Sequence, residues 1–246
     1  MIRLELDLLP TPRETDVAIV IDVLRMTTTA AAMLAHGYRD LRVVAGVDEA
    51  HALAARSGAL LFGERQGVAL PGFDGGNSPL EHDGRETGLR AVLCTTNGSK
   101  AVESVLARHL LLGAIVNATA VARRALELAE REVTLVCAGT DGAPSLDDVL
   151  AAGLVLAAVC AATDATTLSD TCHMALDVVA ASGDPLTGLL RSRHARTLID
   201  LGFEADLAYA ADLDRLDVVP ERRSVRPAVF ARVGSAGHEP WGDTGA

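Results

Sequence analysis

The stretch whose reading decides the fold runs from Val17 to Gly37, V-A-I-V-I-D-V-L-R-M-T-T-T-A-A-A-M-L-A-H-G. It opens on an apolar, mostly β-branched run, the pattern of a strand buried on both faces of a parallel sheet. Asp22 arrives where that strand should reach its carboxyl end, which puts a charge at the sheet's rim. Thr27, Thr28 and Thr29 follow, each able to cap the Ala-rich helix that Gly37 stops. A helix start with hydroxyls, free backbone N–H groups and a positive dipole end, beside Arg25, is a cradle for a phosphate or another oxyanion. The same residues read equally as a strand cap followed by a helix cap, so the rest of the chain has to decide.

Composition narrows the field. The chain has 246 residues, 49% of them hydrophobic, enough for one large α/β domain with a sizeable core. Lys and Arg number 22 against 33 Asp and Glu, a formal charge of -11, which leaves no basic footprint for nucleic acid or an anionic membrane. The longest apolar run, Val149 to Ala162, is interrupted by Gly153 and falls short of the roughly 20 residues that span a bilayer. Glu5 and Asp7 stand where a secretory signal would carry basic and then apolar residues, and Cys94, Cys137, Cys160 and Cys172 show neither C-x-x-C nor zinc spacing. A cytoplasmic protein with reduced thiols is the expectation, with self-association as a homo-oligomer left open.

Strand, polar turn and helix recur along the chain: an opening edge strand around Ile2 to Leu8, a strand from Leu41 to Ala45 and a helix from Asp48 to Arg56, strands at Ala59 to Phe62 and Ala91 to Cys94, a helix from Lys100 to Arg108. A strand from Leu110 to Val116 capped by Asn117, another from Val133 to Cys137, and a long helix from Leu146 follow. This order predicts a three-layer α/β/α sandwich on a mostly parallel sheet, with ligands bound outside the strand carboxyl ends. Residues 163–219 read as a mainly helical cover with helices at Arg191 to Leu201 and Glu204 to Leu213, residues 221–233 as an edge strand, and 234–246 as a loose tail. One domain covers 1–220. Regularity lapses between Gly63 and Glu86, where G-F-D-G-G-N-S-P-L-E (Gly72 to Glu81) reads as an ordered binding loop.

Three turns, at Thr27 to Thr29, Thr95 to Ser99 and Gly139 to Ser145, share hydroxyls or glycines between a strand's end and a helix's start. In a parallel sheet they converge on one anion site built from Thr27, Thr28, Thr29, Thr95, Thr96, Asn97, Gly98, Thr140 and Ser145. Singly, each is a well-capped helix. Asp22, Glu64, Asp147 and Asp148 occupy the same rim, and carboxylates with open water positions suit Mg²⁺; Ser145-x-x-Asp148 is also a capping box in form. Arg25, Arg65 and Lys100 are the cations for an anionic substrate. Cys94 precedes Lys100 rather than the Arg of a cysteine phosphatase and reads as core, and His194 in R-S-R-H reads as a helix-surface residue. No nucleotide-binding glycine motif and no G-x-S-x-G elbow occurs.

The set D-V-L-R-M-T-T-T (Asp22 to Thr29), G-E-R (Gly63 to Arg65), G-F-D-G-G-N-S-P-L-E, T-T-N-G-S (Thr95 to Ser99) and C-A-G-T-D-G-A-P-S-L-D-D (Cys137 to Asp148), in that order over residues 17–220, resembles the 2-phosphosulfolactate phosphatase family. Met26, Gln66, Gly75 and Ser99 depart from its usual residues. The resemblance implies an α/β/α fold and a Mg²⁺-dependent hydrolase releasing 3-sulfolactate and phosphate, a step of coenzyme M biosynthesis. Under it Asp22 and Arg25 are catalytic, Asp22, Glu64 and Asp148 hold the metal, the threonine turn binds phosphate, and Arg65, Asn77 and Ser78 hold the sulfonate and carboxylate. A non-catalytic binder of phosphorylated or sulfonated acids, and a phosphatase of another small phosphoester, are the alternatives.

Overall fold

The computed structural model of the protein describes residues 1–12, 14–82, 84, 88–225 and 228–234. Its first half contains β1 (Ile2–Asp7), β2 (Glu14–Ile21), α1 (Met26–Ala35), β3 (Asp40–Val44), α2 (Val47–Ser57), β4 (Leu60–Arg65), β5 (Val68–Ala69), β6 (Arg90–Cys94), α3 (Gly98–Ser104) and β7 (Leu106–Gly113). The second half adds α4 (Ala118–Leu128), β8 (Glu132–Cys137), α5 (Leu146–Ala162), β9 (Thr166–Leu168), α6 (Asp170–Ser182), α7 (Pro185–Leu190), α8 (Arg193–Asp200), α9 (Glu204–Ala210), β10 (Pro220–Ser224) and β11 (Ala228–Arg232). The α/β class expected from the strand and helix alternation is therefore the fold observed.

Among the described residues the strands form one sheet in the order β5-β4-β6-β3-β11-β10-β7-β2-β8-β1-β9. β2 lies at the heart of one parallel set, hydrogen-bonded to β7 and β8. Its pleat divides the core as a strand buried on both faces must. Val17, Ile19 and Ile21 pack with α4 and α5, while Ala18 and Val20 meet Met26 and Met33 of α1 on the opposite face. Leu41, Phe62 and Leu93, from β3, β4 and β6, join that second cluster, so α1 is shared by both parallel sets. α2 covers the other face of β3, β4 and β6.

Two sequence expectations about the sheet fail. β1 is not an edge strand, because β9 extends the sheet beyond it. β11 is not an edge strand either: with β10 it forms an antiparallel hairpin in the middle of the sheet, and its run A-V-F-A is buried. Order along the chain does not set order across the sheet, and an apolar run without alternation signals burial on both faces rather than an edge. The hairpin also reverses polarity, so the set β3, β6, β4 runs opposite to the set β7, β2, β8, β1. Strand twist of roughly 20–25° at each of the five steps from β2 to β6 sums to about 100–125° and offsets most of that reversal. Carboxyl ends from both sets can thereby still approach one another.

β7 begins at Leu106, inside the segment read as helix, and the Lys100 to Arg108 helix ends at Ser104. Residues 163–219 are the helical cover expected, with the short β9 inside it; Leu198 of α8 and Leu207 of α9 enter the main core. The tail beyond Gly234 lies outside the described residues. The irregular stretch after β4 is ordered where described: Phe73 packs edge-on against His51 of α2 at 5.2 Å, and Glu81 accepts a 2.6 Å hydrogen bond from Gly76 N.

Candidate active site

A cleft of about 240 Å³ opens where the turns after β2, β4, β6 and β8 meet the face of α8. Asp22, Arg25, Glu64, Asn77, Thr96, Asn97, Thr140 and His194 line it. The convergence expected from the recurring turns is thus observed, although the turns come from two sets of opposite polarity.

Asp22 is 7% exposed. Burial, reinforced by the nearby charge of Glu64 and opposed by His194, pushes its carboxyl up to about 6. Two close backbone approaches set the pair of acids. A Cβ on Gly63 would lie 2.1 Å from Cys94 O, so only glycine lets β4 run against β6 here and deliver Glu64 at the strand's end. A Cβ on Gly98 would stand 2.4 Å from Asp22 Oδ2 and 2.5 Å from the Met26 methyl. Gly98→Ala is therefore expected to displace Asp22 and lower kcat at least about tenfold, at a stability cost of about 1–3 kcal/mol, read by steady-state kinetics beside a thermal melt. Glu64 is fixed from the other side: Oε1 accepts from Thr96 N and Thr96 Oγ1, both at 2.9 Å, and Oε2 from Gly67 N at 2.9 Å.

Arg25 is 3% exposed. It donates to Asp206 Oδ2 at 2.7 Å and to Gly67 O at 2.6 Å, with its guanidinium 4.1 Å above the Phe203 ring. Ser78 Oγ donates to the other Asp206 oxygen at 2.6 Å. Asn77 is buried, and its Oδ1 has no hydrogen-bond partner among the described residues.

Several expected site residues are engaged elsewhere. None of the three threonines caps α1: Thr27 Oγ1 donates to Asp22 O, Thr28 Oγ1 to Val23 O and Thr29 Oγ1 to Asn77 O, all fully buried. They lock the β2–α1 turn instead of facing the cleft, since a β-branched hydroxyl beside a helix start reaches local carbonyls most easily. Thr95 bonds Ser99, and Ser78 bonds Asp206, so neither lines the cleft. Arg65 follows Glu64 on a strand, so it points to the other face, donating to Ala45 O and to Cys94 Sγ at 3.4 Å. Asp148 does not line the cleft: its oxygens accept from Val23 N and Gly139 N, each at 2.9 Å, and tie the turn after β2 to the turn after β8. Ser145 does not build the capping box; its hydroxyl donates to Asp147. Cys94 is core, its thiol pushed up by burial against the opposing pull of Arg65.

His194 is the largest omission. It is not a surface residue but lines the cleft, with Nδ1 3.5 Å from Asp147 Oδ2 and 3.4 Å from Thr140 Oγ1. Burial by itself would lower its basicity, yet the hydrogen bond and charge of Asp147, with the charge of Asp22, raise it overall. Arg193 and Thr197 of the same helix also line the cleft. Only the R-S-R-H run hinted at them.

Among the described residues no three His, Cys, Asp or Glu side chains are grouped as a metal site. The donor set nonetheless fits Mg²⁺, which takes one or two carboxylates, keeps waters and completes its shell with substrate oxygens. Asp22 and Glu64 supply the carboxylates, and the orphaned Asn77 Oδ1 is a third hard oxygen on the same cleft.

An α/β scaffold that gathers two carboxylates, a buried arginine and a histidine around a small cleft defines an enzyme that handles small anionic esters. The chain belongs to the 2-phosphosulfolactate phosphatase family, whose sequence pattern matches residues 4–224. A probable 2-phosphosulfolactate phosphatase of Deinococcus radiodurans is 45% identical over 224 residues, covering 89% of this chain and 92% of the relative. Proteins of the same description from Carboxydothermus hydrogenoformans (44% over 210 residues, 85% and 87% covered) and Thermus thermophilus (39% over 226 residues, 90% and 94% covered) are also similar. The chain is accordingly a phosphatase.

Proposed function

We propose that this phosphatase hydrolyses 2-phosphosulfolactate to 3-sulfolactate and phosphate, in the cytoplasm, as in coenzyme M biosynthesis, with Mg²⁺ held by Asp22, Glu64 and Asn77. The observation that carries the metal reading is the charge of the cleft. Arg25 is already balanced by Asp206, so the lining acids Asp22, Glu64 and Asp141 outnumber the remaining cations, Arg193 and His194. A substrate with phosphate, sulfonate and carboxylate groups would be repelled from such a wall without a further positive charge.

A divalent ion there supplies that charge and polarises the phosphoryl oxygens. The chain's own residues do the positioning. Arg25, held rigid by Asp206, Gly67 and Phe203, directs its remaining N–H groups at the phosphoryl oxygens. Arg193 at the cleft mouth fits the distal sulfonate or carboxylate, in place of the Arg65 expected from the sequence. No helix among the described residues is long and apolar enough to cross a membrane.

Phosphate release from 2-phosphosulfolactate with added Mg²⁺, and again after chelation, tests both parts. Turnover that falls at least about a hundredfold on chelation and returns with Mg²⁺ is the expected result. Full activity in chelator would remove the metal, and faster release from an unrelated phosphoester would replace the substrate. Tight binding without turnover would restore the reading as a binding protein.

A further inference from the structure

We propose that His194 is the general acid of the reaction, donating a proton from Nε2 to the leaving oxygen of the substrate, and that Asp147, fixed by Ser145, is its positioning residue. The inference rests on the functional reading above and gives a part in the chemistry to a residue which that reading counts only as a cation. α8 is capped by Ser192, whose Oγ accepts from Ala195 N at 2.9 Å, and Ala195 and Leu198 are buried. This seating turns His194, Thr197 and Leu198, neighbours at helical spacing, onto the cleft across from Asp22 and Glu64.

Both near partners of the imidazole, Asp147 Oδ2 and Thr140 Oγ1, address Nδ1. Asp147 is 1% exposed, and its other oxygen accepts from Ser145, so it has one orientation. A carboxylate on Nδ1 keeps the proton there and leaves Nε2 as the working nitrogen. The charged groups around the imidazole are Asp147 from α5, Asp22 and Arg25 from the turn after β2, Glu64 from β4, Asp141 from the turn after β8, and Arg193 on its own helix. An alkoxide is a poor leaving group, so an alkyl phosphate needs a proton delivered as its P–O bond breaks.

The step balances without any further reactant. A water oxygen forms a bond to phosphorus while the ester P–O bond breaks, and its electron pair stays with the leaving oxygen. That oxygen takes the Nε2 proton and departs as the alcohol. Water's two protons start on the inorganic phosphate, and one passes to neutral His194, which regains the proton it gave.

Kinetics of His194→Asn on 2-phosphosulfolactate test the acid, and imidazole ¹⁵N NMR of the wild type and Asp147→Asn tests the positioning. We expect His194→Asn to lower kcat by roughly 10²- to 10⁴-fold with KM changed less than about threefold. In the wild type the His194 Nδ1 signal should be that of a protonated nitrogen bonded to a carboxylate, and Asp147→Asn should move that signal and lower kcat while KM stays within about threefold of wild type, a split that a structural role alone would not give. A His194→Asn variant with kcat within about threefold of wild type, or a loss confined to KM, overturns the acid role. Unchanged nitrogen shifts in Asp147→Asn overturn the positioning. A wild-type chain that releases no phosphate from this substrate overturns the functional reading and the proposal together, whereas an active wild type with an equally active His194→Asn overturns the proposal alone.

Discussion

Asp22→Asn should abolish turnover and at the same time raise the melting temperature of the ligand-free protein. Burial is the chief reason the Asp22 carboxyl is pushed up to about 6, with Glu64 adding to it. A carboxyl raised in the folded state stabilises the fold while protonated, below about pH 4, and that contribution is lost as pH rises towards 6. At neutral pH the buried charge therefore costs on the order of 3 kcal/mol. An asparagine removes that cost and can still accept from Met26 N, the 3.4 Å contact that Oδ1 makes now. The gain should be several degrees near neutrality and vanish near pH 4, at roughly 2–4 °C for each kcal/mol in a chain of this size. Thermal melts of both proteins between pH 4 and 8 measure it. A variant that melts with wild type at every pH would show that Asp22 carries no such burden, and a variant that still turns over would remove it from the site.

The second large effect belongs to Asp206. Asp206→Ala leaves the Arg25 guanidinium buried without its carboxylate, and breaking a buried pair in this way typically costs about 3–5 kcal/mol. The same change frees Ser78 and loosens the loop that carries Asn77, so activity should fall with stability. Urea denaturation of Asp206→Ala, Arg25→Met and the double variant gives the interaction energy, and the double variant should be more stable than the sum of the singles implies. The exposed pair Arg123 and Asp217 is the control. Its side chains are 61% and 81% exposed, and Asp217→Ala should change stability by no more than about 1 kcal/mol. If both aspartates cost the same, the buried contact carries no special weight.

The comparison of Asp147 with Asp148 explains why the site was only half legible in the chain. Adjacent residues on a helix point about 100° apart, so one of them meets the His194 imidazole behind the cleft wall and the other the two turns it ties together. The sequence favours neither. The structure assigns His194 to Asp147 and the backbone of Val23 and Gly139 to Asp148. The neighbours Glu64 and Arg65 pose the same problem on a strand, where the pleat sends one to the cleft and the other to Ala45. The threonine run is ambiguous for another reason: hydroxyls beside a helix start can take an external anion or a local carbonyl, and the buried hydroxyls here take carbonyls.

Local physics alone determined that a β-branched run ends on Asp22, that strand and helix alternate into an α/β fold, and that the turns after the strands gather polar groups. These follow from periodicity, capping and turn chemistry, which act over a few residues. Tertiary structure alone decided which polar group on each turn faces the cleft, that the chain's last strands enter the middle of the sheet, and that α8 brings His194 opposite Asp22. Those outcomes depend on contacts between residues far apart in the chain, such as the 181 positions that separate Arg25 from Asp206, and no local pattern encodes a pairing across that distance.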